Sequence, residues 1–145
     1  MVSLVPEPIW QRKLTLEAIT ELHRDTAVAR LGIRYIEMGD DYLRAEMPVN
    51  EHTIQPRGVL HGGSSLLLAE SLASTAAYLS LPEGRHAVGL EINGNHVRSV
   101  PKGGRVIGTA KPLHRGRSTQ VWQVEIRDEQ ERLACASRVT MAVLD

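Results

Sequence analysis

The spacing of hydrophobic and polar residues along the chain predicts strands in some segments and helices in others. Between residues 42 and 49 every second side chain is apolar, starting with Leu43, which is the pattern of a strand with one buried face. The same period of two runs from residue 122 to 126 and from 133 to 143, and we expect a bulge at Val121. Shorter apolar runs bounded by turn residues predict three more strands, at 32–38, 86–98 and 105–113.

Two segments follow a helical pattern instead. A short amphipathic helix is predicted after Thr15, whose hydroxyl can cap its first turn. A long helix begins at His61-Gly62-Gly63-Ser64 and continues to about Leu79, before Pro82-Glu83-Gly84 ends it. Glu70 and several serines interrupt this apolar stretch, so it predicts a buried helix and not a membrane span. Because one long helix cannot cover both faces of a sheet, we expect an α+β fold in which an antiparallel sheet wraps around the helix.

Composition narrows the class of protein further. The 145 residues fit a single domain, predicted to span 1–145, and a hydrophobic fraction of 42% is typical of a folded chain. The 17 basic and 17 acidic residues leave no charge excess that would favour nucleic acid or a membrane surface. The single cysteine, Cys135, and the lack of a signal-peptide pattern in residues 1–13 predict a cytoplasmic protein. No metal-ligand spacing is found, and we expect neither a metal nor a cofactor.

Glu70 is the most informative polar residue of the predicted long helix. Its helical neighbours three and four residues away are apolar, except for Ser74. A buried carboxylate is costly, so its presence here calls for a partner or a function. It is either paired with an arginine, such as Arg98 or Arg138, or it is catalytic, and the pattern alone gives the two readings equal weight.

The start of the same helix offers a second candidate site. Gly62 and Gly63 leave backbone N–H groups open to a ligand carbonyl, as in an oxyanion hole, although a turn that requires glycine explains the pair equally well. Glu70 lies seven residues beyond Gly63, about 10 Å along the axis, too far to attack a carbonyl held at the start of its own helix. If both groups serve one reaction, they come from two subunits. Gln55 and His61 precede the helix and can hydrogen-bond a carbonyl, or be merely solvated.

A basic turn is the third candidate. His114-Arg115-Gly116-Arg117-Ser118 joins two predicted strands and is either a solvated hairpin tip or a clamp for phosphates. His96, Arg98 and Ser99, at the end of the preceding strand, can extend such a clamp. There is no G-x-S-x-G elbow and no G-K-[ST] phosphate loop.

The residues around the long helix resemble a known signature. The run Gln55-Pro56-x-Gly58-x-Leu60-His61-Gly62-Gly63-x-Ser65, followed by Leu68-Ala69-Glu70-Ser71, is similar to that of small hotdog-fold thioesterases. The resemblance continues through 89–99, 111–114 and 121–126 and covers nearly the whole chain from Ile9 onward. It is nearest to the branch of the 1,4-dihydroxy-2-naphthoyl-CoA and enterobactin-proofreading thioesterases. The phenylacetate-pathway and Arthrobacter-type 4-hydroxybenzoyl-CoA thioesterases resemble it more distantly.

The resemblance implies hydrolysis of an acyl-CoA thioester, with an aryl acyl group, to the free acid and CoA. It implies that Glu70 is the nucleophile or the general base, that the Gly62 N–H polarises the carbonyl, and that Ser74 assists Glu70. Gln55 and His61 would come from the facing subunit. The residues implied for coenzyme A, which is part of the substrate, are Gly89, His96, Val97, Arg98, Ser99, His114, Arg115, Gly116, Arg117 and Ser118. The family also implies homodimers that pair into homotetramers.

Some alternatives remain open at this stage. An acyl carrier protein thioester can replace acyl-CoA as the substrate. A hotdog dehydratase or hydratase is another function, but the F-P-G-x-P segment of those enzymes is absent. A non-catalytic acyl-CoA-binding module would need no carboxylate at position 70. The chain departs from its nearest relatives at Arg115 and Arg117, in a longer N-terminus and in an extra residue near Gly103-Gly104, which affects the expected CoA contacts.

Overall fold

An antiparallel sheet of six strands wraps around one long helix in the computed structural model, which describes residues 6–145. The elements in chain order are α1 (Leu16–Leu22), α2 (Ala27–Arg30), β1 (Arg34–Met38), β2 (Leu43–Pro48), α3 (Gly62–Ser80), β3 (His86–His96), β4 (Arg105–Arg115), β5 (Thr119–Arg127) and β6 (Leu133–Leu144). The strand order is β1-β2-β4-β5-β6-β3, and all neighbouring strands are antiparallel. The predicted α+β class is confirmed.

Alternation of side chains places the core between the sheet and α3. In β2 the fully buried residues are Leu43, Ala45 and Met47. In β5 every second residue from Trp122 to Ile126 is fully buried. Cys135 is also buried, as predicted, and burial raises the pKa of its thiol. The period of two therefore identified the faces of these strands correctly.

Two glycines let α3 lie close to the sheet. A Cβ atom at Gly94 would come within 2.4 Å of the Leu66 side chain, and one at Gly108 within 2.6 Å of Leu72. A larger residue at either position would have to displace these leucine side chains from the space between α3 and the strands. The side chains of α3 are thus held at fixed positions against β3 and β4.

The structure corrects several predicted boundaries. The α1 helix begins as expected, because Thr15 Oγ1 accepts a hydrogen bond from the Ala18 N–H at 3.1 Å, but the short α2 was not predicted. The bulge lies in β4 and not at Val121: Pro112 pairs with Trp122 and His114 with Val121, which leaves Leu113 unmatched and exposed. Strand β4 extends two residues into the predicted basic turn, to Arg115.

Strand β3 forms one edge of the sheet, and no other strand of the described chain pairs with its outer side. The strand ends at His96 and not at Arg98 as predicted, because the N–H groups of Val97 and Arg98 both donate to the Ala134 carbonyl. On β3 itself, Val88 and Leu90 are 44% and 61% exposed. An open edge strand with exposed apolar side chains is a site for pairing with another strand. Among residues 6–145, none of the helices is long and apolar enough to cross a membrane.

Candidate active site

The start of α3 presents an unused backbone donor. His61 has an extended backbone and caps the helix, because its Nδ1 accepts a hydrogen bond from the Gly63 N–H at 2.8 Å. The Gly62 N–H belongs to the first residue of the helix, so it has no partner within the helix, and no hydrogen bond in the described part of the chain uses it. The helix start can therefore polarise a carbonyl through this group.

A pocket of about 390 Å³ lies beside this donor, between the segment that precedes α3 and the end of β3. It brings together six residues that the sequence analysis selected: Gln55, Gly62, His96, Val97, Arg98 and Ser99. A Cβ atom at Gly62 would come within 2.8 Å of His96 Nε2, so the imidazole lies directly against the helix start. Arg98 forms no ion pair with any carboxylate of residues 6–145, which leaves its charge available to an anionic ligand.

Two residues before the helix use part of their hydrogen-bonding capacity in local contacts. The Gln55 carbonyl oxygen Oε1 accepts from the Arg57 N–H, while its Nε2 makes no hydrogen bond within residues 6–145 and remains a donor. His61 uses Nδ1 for the helix cap, which requires that nitrogen to be unprotonated. His61 was predicted to hydrogen-bond a carbonyl or to be solvated, and the structure adds its role as the cap of α3.

The Glu70 carboxylate has no partner in the described chain. Of the two alternatives for Glu70, the ion pair with an arginine such as Arg98 or Arg138 is not formed, since no salt bridge or hydrogen bond of residues 6–145 involves Glu70. The expected burial is wrong for a single chain, where Glu70 is exposed. The reason is that the β3 residue against this carboxylate is Gly89, which has no side chain to cover it. This removes the structural reading of Glu70 as one half of a buried pair.

Glu70 borders a second pocket, of about 250 Å³, together with Ser74. Gly89 of β3 lies against the carboxylate: a Cβ atom there would come within 2.9 Å of Glu70 Oε1. Gly89, which the resemblance assigned to coenzyme A, thus lies beside Glu70, and its contact with coenzyme A stays a prediction. The lack of a side chain at this position leaves space for the carboxylate.

The two candidate groups are separate within one chain. The pocket beside Gly62 and the pocket beside Glu70 share no residue. Glu70 lies eight residues beyond Gly62 in α3, about 12 Å along the axis. One copy of the chain does not bring both groups to one reacting carbon.

The predicted phosphate clamp is also divided. The Val143 N–H donates to the Ser118 carbonyl at 2.9 Å and the Arg85 guanidinium to the Arg117 carbonyl at 3.0 Å, so the basic turn lies near the start of β3. His96 ends that strand, ten residues and about 33 Å further on. The prediction that both parts form one clamp is therefore wrong for a single chain, because β3 runs the length of the sheet between them.

Three residues near Glu70 had no signal in the sequence. His23 borders the Glu70 pocket, and it shares a neighbouring, mainly apolar pocket of about 240 Å³ with Ser74 and Thr75. The Tyr35 hydroxyl lies 2.8 Å from Thr75 Oγ1, and burial raises the pKa of Tyr35 to about 12. His23 follows α1 in a polar stretch. Its contact with Thr75, 52 residues away in the sequence, is visible only in the folded chain.

An antiparallel sheet wrapped around one helix, with a helix-start donor and an unpaired helical carboxylate, defines the class of hotdog-fold proteins described above. Comparison with known proteins agrees. Residues 57–135 match the family model described as Thioesterase superfamily. The chain belongs to this family and is a thioester-hydrolysing enzyme.

Individual relatives extend over nearly the full chain. A 1,4-dihydroxy-2-naphthoyl-CoA hydrolase of Escherichia coli is 54% identical over 136 residues, which cover 94% of this chain and 99% of that protein. The proofreading thioesterase EntH of Cronobacter turicensis is 48% identical, with 94% and 98% covered. The crystal structure of a Haemophilus influenzae thioesterase, 46% identical, superposes with a TM-score of 0.92 over 94% of this chain and 95% of that one.

Proposed function

We propose that this enzyme hydrolyses the thioester of an aryl-CoA to the free acid and CoA in a site shared by two copies of the chain. The observation that carries the proposal is the unpaired Glu70 carboxylate, which borders a pocket with Ser74 next to the open strand edge. The name of the Escherichia coli relative, a hydrolase of an aromatic CoA thioester, supports both the CoA and the aryl group.

The chemistry assigns one task to each group. The Gly62 N–H donates to the thioester oxygen and stabilises the negative charge that develops when the carbonyl carbon is attacked. Glu70 either removes a proton from the attacking water or attacks the carbon itself, giving a mixed anhydride that water then hydrolyses. In both routes the C–S bond breaks and CoA leaves as a thiolate that takes up a proton. Ser74, one turn beyond Glu70, is placed to orient the carboxylate or the water.

The geometry of β3 supports a shared site. Along β3, Gly89 lies beside Glu70 and His96 lies beside Gly62. If two copies pair antiparallel through β3, a two-fold axis between Ile92 and Asn93 sets Gly89 opposite the partner's His96. Glu70 then lies next to the partner's Gly62, which brings the carboxylate and the helix-start donor together.

The same register joins the two parts of the CoA clamp. It places the start of β3, where the basic turn lies, beside the partner's Ser99. Arg115 and Arg117 have no carboxylate partner within residues 6–145, and the same holds for Arg98. Unpaired arginines from both copies would thus surround the CoA phosphates. Further pairing of dimers into tetramers stays a prediction, to be measured by analytical ultracentrifugation.

The size of the apolar pocket supports an aromatic acyl group. Its volume of about 240 Å³ exceeds the roughly 150 Å³ at which an apolar protein cavity accepts benzene. Leu14, Ile19 and Leu79 contribute apolar walls. A single substituted ring therefore fits beyond the Glu70 pocket.

Replacement of Glu70 tests the proposal. Glu70→Gln and Glu70→Ala are expected to abolish thiol release from benzoyl-CoA, while calorimetry still detects CoA binding. Glu83→Gln, in the exposed turn after α3, is the matched control and keeps wild-type turnover. Near-normal turnover of either Glu70 variant would overturn the catalytic assignment, and a wild-type protein that binds CoA thioesters without hydrolysing them would favour the binding module. Thiol release from a carrier-protein thioester, measured beside benzoyl-CoA, decides between the two thiol carriers.

A further inference from the structure

His23 lies at the boundary between the Glu70 pocket and the apolar pocket. The two pockets share only His23, Ser74 and Thr75. An acyl group whose carbonyl lies at Glu70 and whose far end lies in the apolar pocket must pass these three side chains. His23 comes from the segment between α1 and α2, outside the residues that the family model matches.

The imidazole of His23 is fixed by two contacts on the sides that face the protein. Its Nδ1 lies 2.8 Å from the carbonyl oxygen of Ile19, which can only accept, so Nδ1 carries the hydrogen and donates. The ring stacks on Tyr35, with 5.2 Å between the ring centroids. In the neutral ring, Nε2 is consequently an acceptor whose direction is set by the fold.

That acceptor is poorly satisfied. Its one polar neighbour in the described chain is Thr75 Oγ1, at 3.4 Å, which is long for a hydrogen bond. The Thr75 hydroxyl is much closer to the Tyr35 hydroxyl, at 2.8 Å. His23 Nε2 therefore retains the capacity to accept a hydrogen from a ligand.

A purely structural role of His23 explains only one of its two ring nitrogens. Histidine near the end of a helix often donates to one of the last carbonyls, as His23 does to Ile19. This explains the position of Nδ1. It gives no reason for an acceptor at the junction of two pockets, where an apolar side chain would pack as well.

We propose that His23 is a specificity-determining residue whose Nε2 accepts a hydrogen bond from a hydroxyl group on the acyl part of the substrate. Discrimination between hydroxylated and unsubstituted aryl thioesters then depends on this one side chain. The inference rests on the proposed function, since it assumes that the acyl group occupies the pockets beside Glu70. One neutral hydrogen bond corresponds to a preference of about five- to tenfold in kcat/KM.

Substrate comparison on the wild-type enzyme gives the first test. Thiol release is measured with benzoyl-CoA, its three monohydroxy isomers and the matching methoxy isomers, which occupy more volume but donate no hydrogen. The best hydroxy isomer is expected to exceed both benzoyl-CoA and its own methoxy counterpart about five- to tenfold in kcat/KM. Equal values for the hydroxy and methoxy compounds would overturn the proposal. Absence of thiol release from every compound would instead contradict the proposed function itself.

Variants of His23 give the second test. His23→Phe keeps a ring to stack on Tyr35 but removes the acceptor, and it is expected to lower the ratio of hydroxybenzoyl to benzoyl kcat/KM to near one. His23→Gln keeps an acceptor and is expected to restore part of the ratio, whereas Arg24→Gln, at an exposed neighbour, is the control. A ratio unchanged in His23→Phe would overturn the proposal. If thermal unfolding shows that His23→Phe does not fold, His23→Gln and the methoxy comparison decide.

Discussion

Replacing Gly89 by alanine tests how closely the strand holds the Glu70 carboxylate. The new methyl group would come within 2.9 Å of Glu70 Oε1, and an ordinary contact begins at 3.4 Å, so the oxygen must move by about 0.5 Å. A misplacement of about 1 Å can cost about a hundredfold in rate, so half of that corresponds to about a tenfold loss in kcat. Because the displaced atoms end a flexible, exposed side chain, stability is expected to stay within about 0.5 kcal/mol of wild type.

The assay is thiol release from benzoyl-CoA, with kcat and KM determined separately and the melting temperature measured beside them. Gly104→Ala is the matched control, because its methyl group would lie an ordinary 3.5 Å from another carboxylate oxygen, Glu129 Oε2, outside the site. Wild-type kcat in Gly89→Ala would refute the reasoning. So would an equal loss in Gly104→Ala, or a drop in melting temperature large enough to explain the lost activity.

Three further predictions concern stability and reactivity. Leu68→Ala removes a fully buried side chain of α3 and is expected to lower the free energy of unfolding by about 2–5 kcal/mol in urea titrations, whereas an unchanged midpoint would contradict the packing. The hydrogen bond from Arg34 and the charge of Arg105 hold the pKa of Glu46 below its usual range, so these ion pairs stabilise the fold at neutral pH and the stabilisation is lost as the pH falls into the acid range. Glu46→Gln should flatten the acid limb of stability against pH, and parallel curves would refute this. Cys135 is buried with a raised pKa, so a thiol reagent should label it only after denaturant is added; rapid labelling of the native protein would contradict its position.

The sequence predicted the features that depend on local spacing. The alternation that starts at Leu43 identified β2, because one face of that strand packs on the helix and the other does not. The glycines and the proline-containing turn around α3 marked both of its ends to within a residue or two. These signals arise from neighbours in the chain, and so they can be seen without the fold.

The features that the sequence missed depend on distant contacts. Leu113 bulges out of β4 because of its register with β5, and Gly89 lies at Glu70 because β3 passes along α3. The separation of the basic turn from His96 follows from the strand order, which no local pattern encodes. The exposure of Glu70 in one chain was likewise not predicted, since the helical pattern shows apolar neighbours but not which side of α3 the sheet covers.

The backbone donor at the helix start can be removed selectively. His61, before it, has the extended conformation that a following proline favours, and proline is well tolerated as the first residue of a helix. Gly62→Pro therefore deletes the backbone N–H. Gly62→Ala is the control, because its Cβ atom also contacts His96 while the N–H is kept. Loss of one such donor is expected to lower kcat about 10²- to 10³-fold in the proline variant beyond any effect of the alanine.

Mixing subunits that carry Glu70→Gln with subunits that carry Gly62→Pro tests the shared site most directly. Each variant alone is expected to be nearly inactive. After exchange at equal amounts, half of the dimers would be hybrids, and each hybrid would contain one intact site and one doubly altered site, so thiol release from benzoyl-CoA should return to about a quarter of wild type. If exchange is verified by mass spectrometry and activity does not return, Glu70 and the partner's Gly62 do not act in one site.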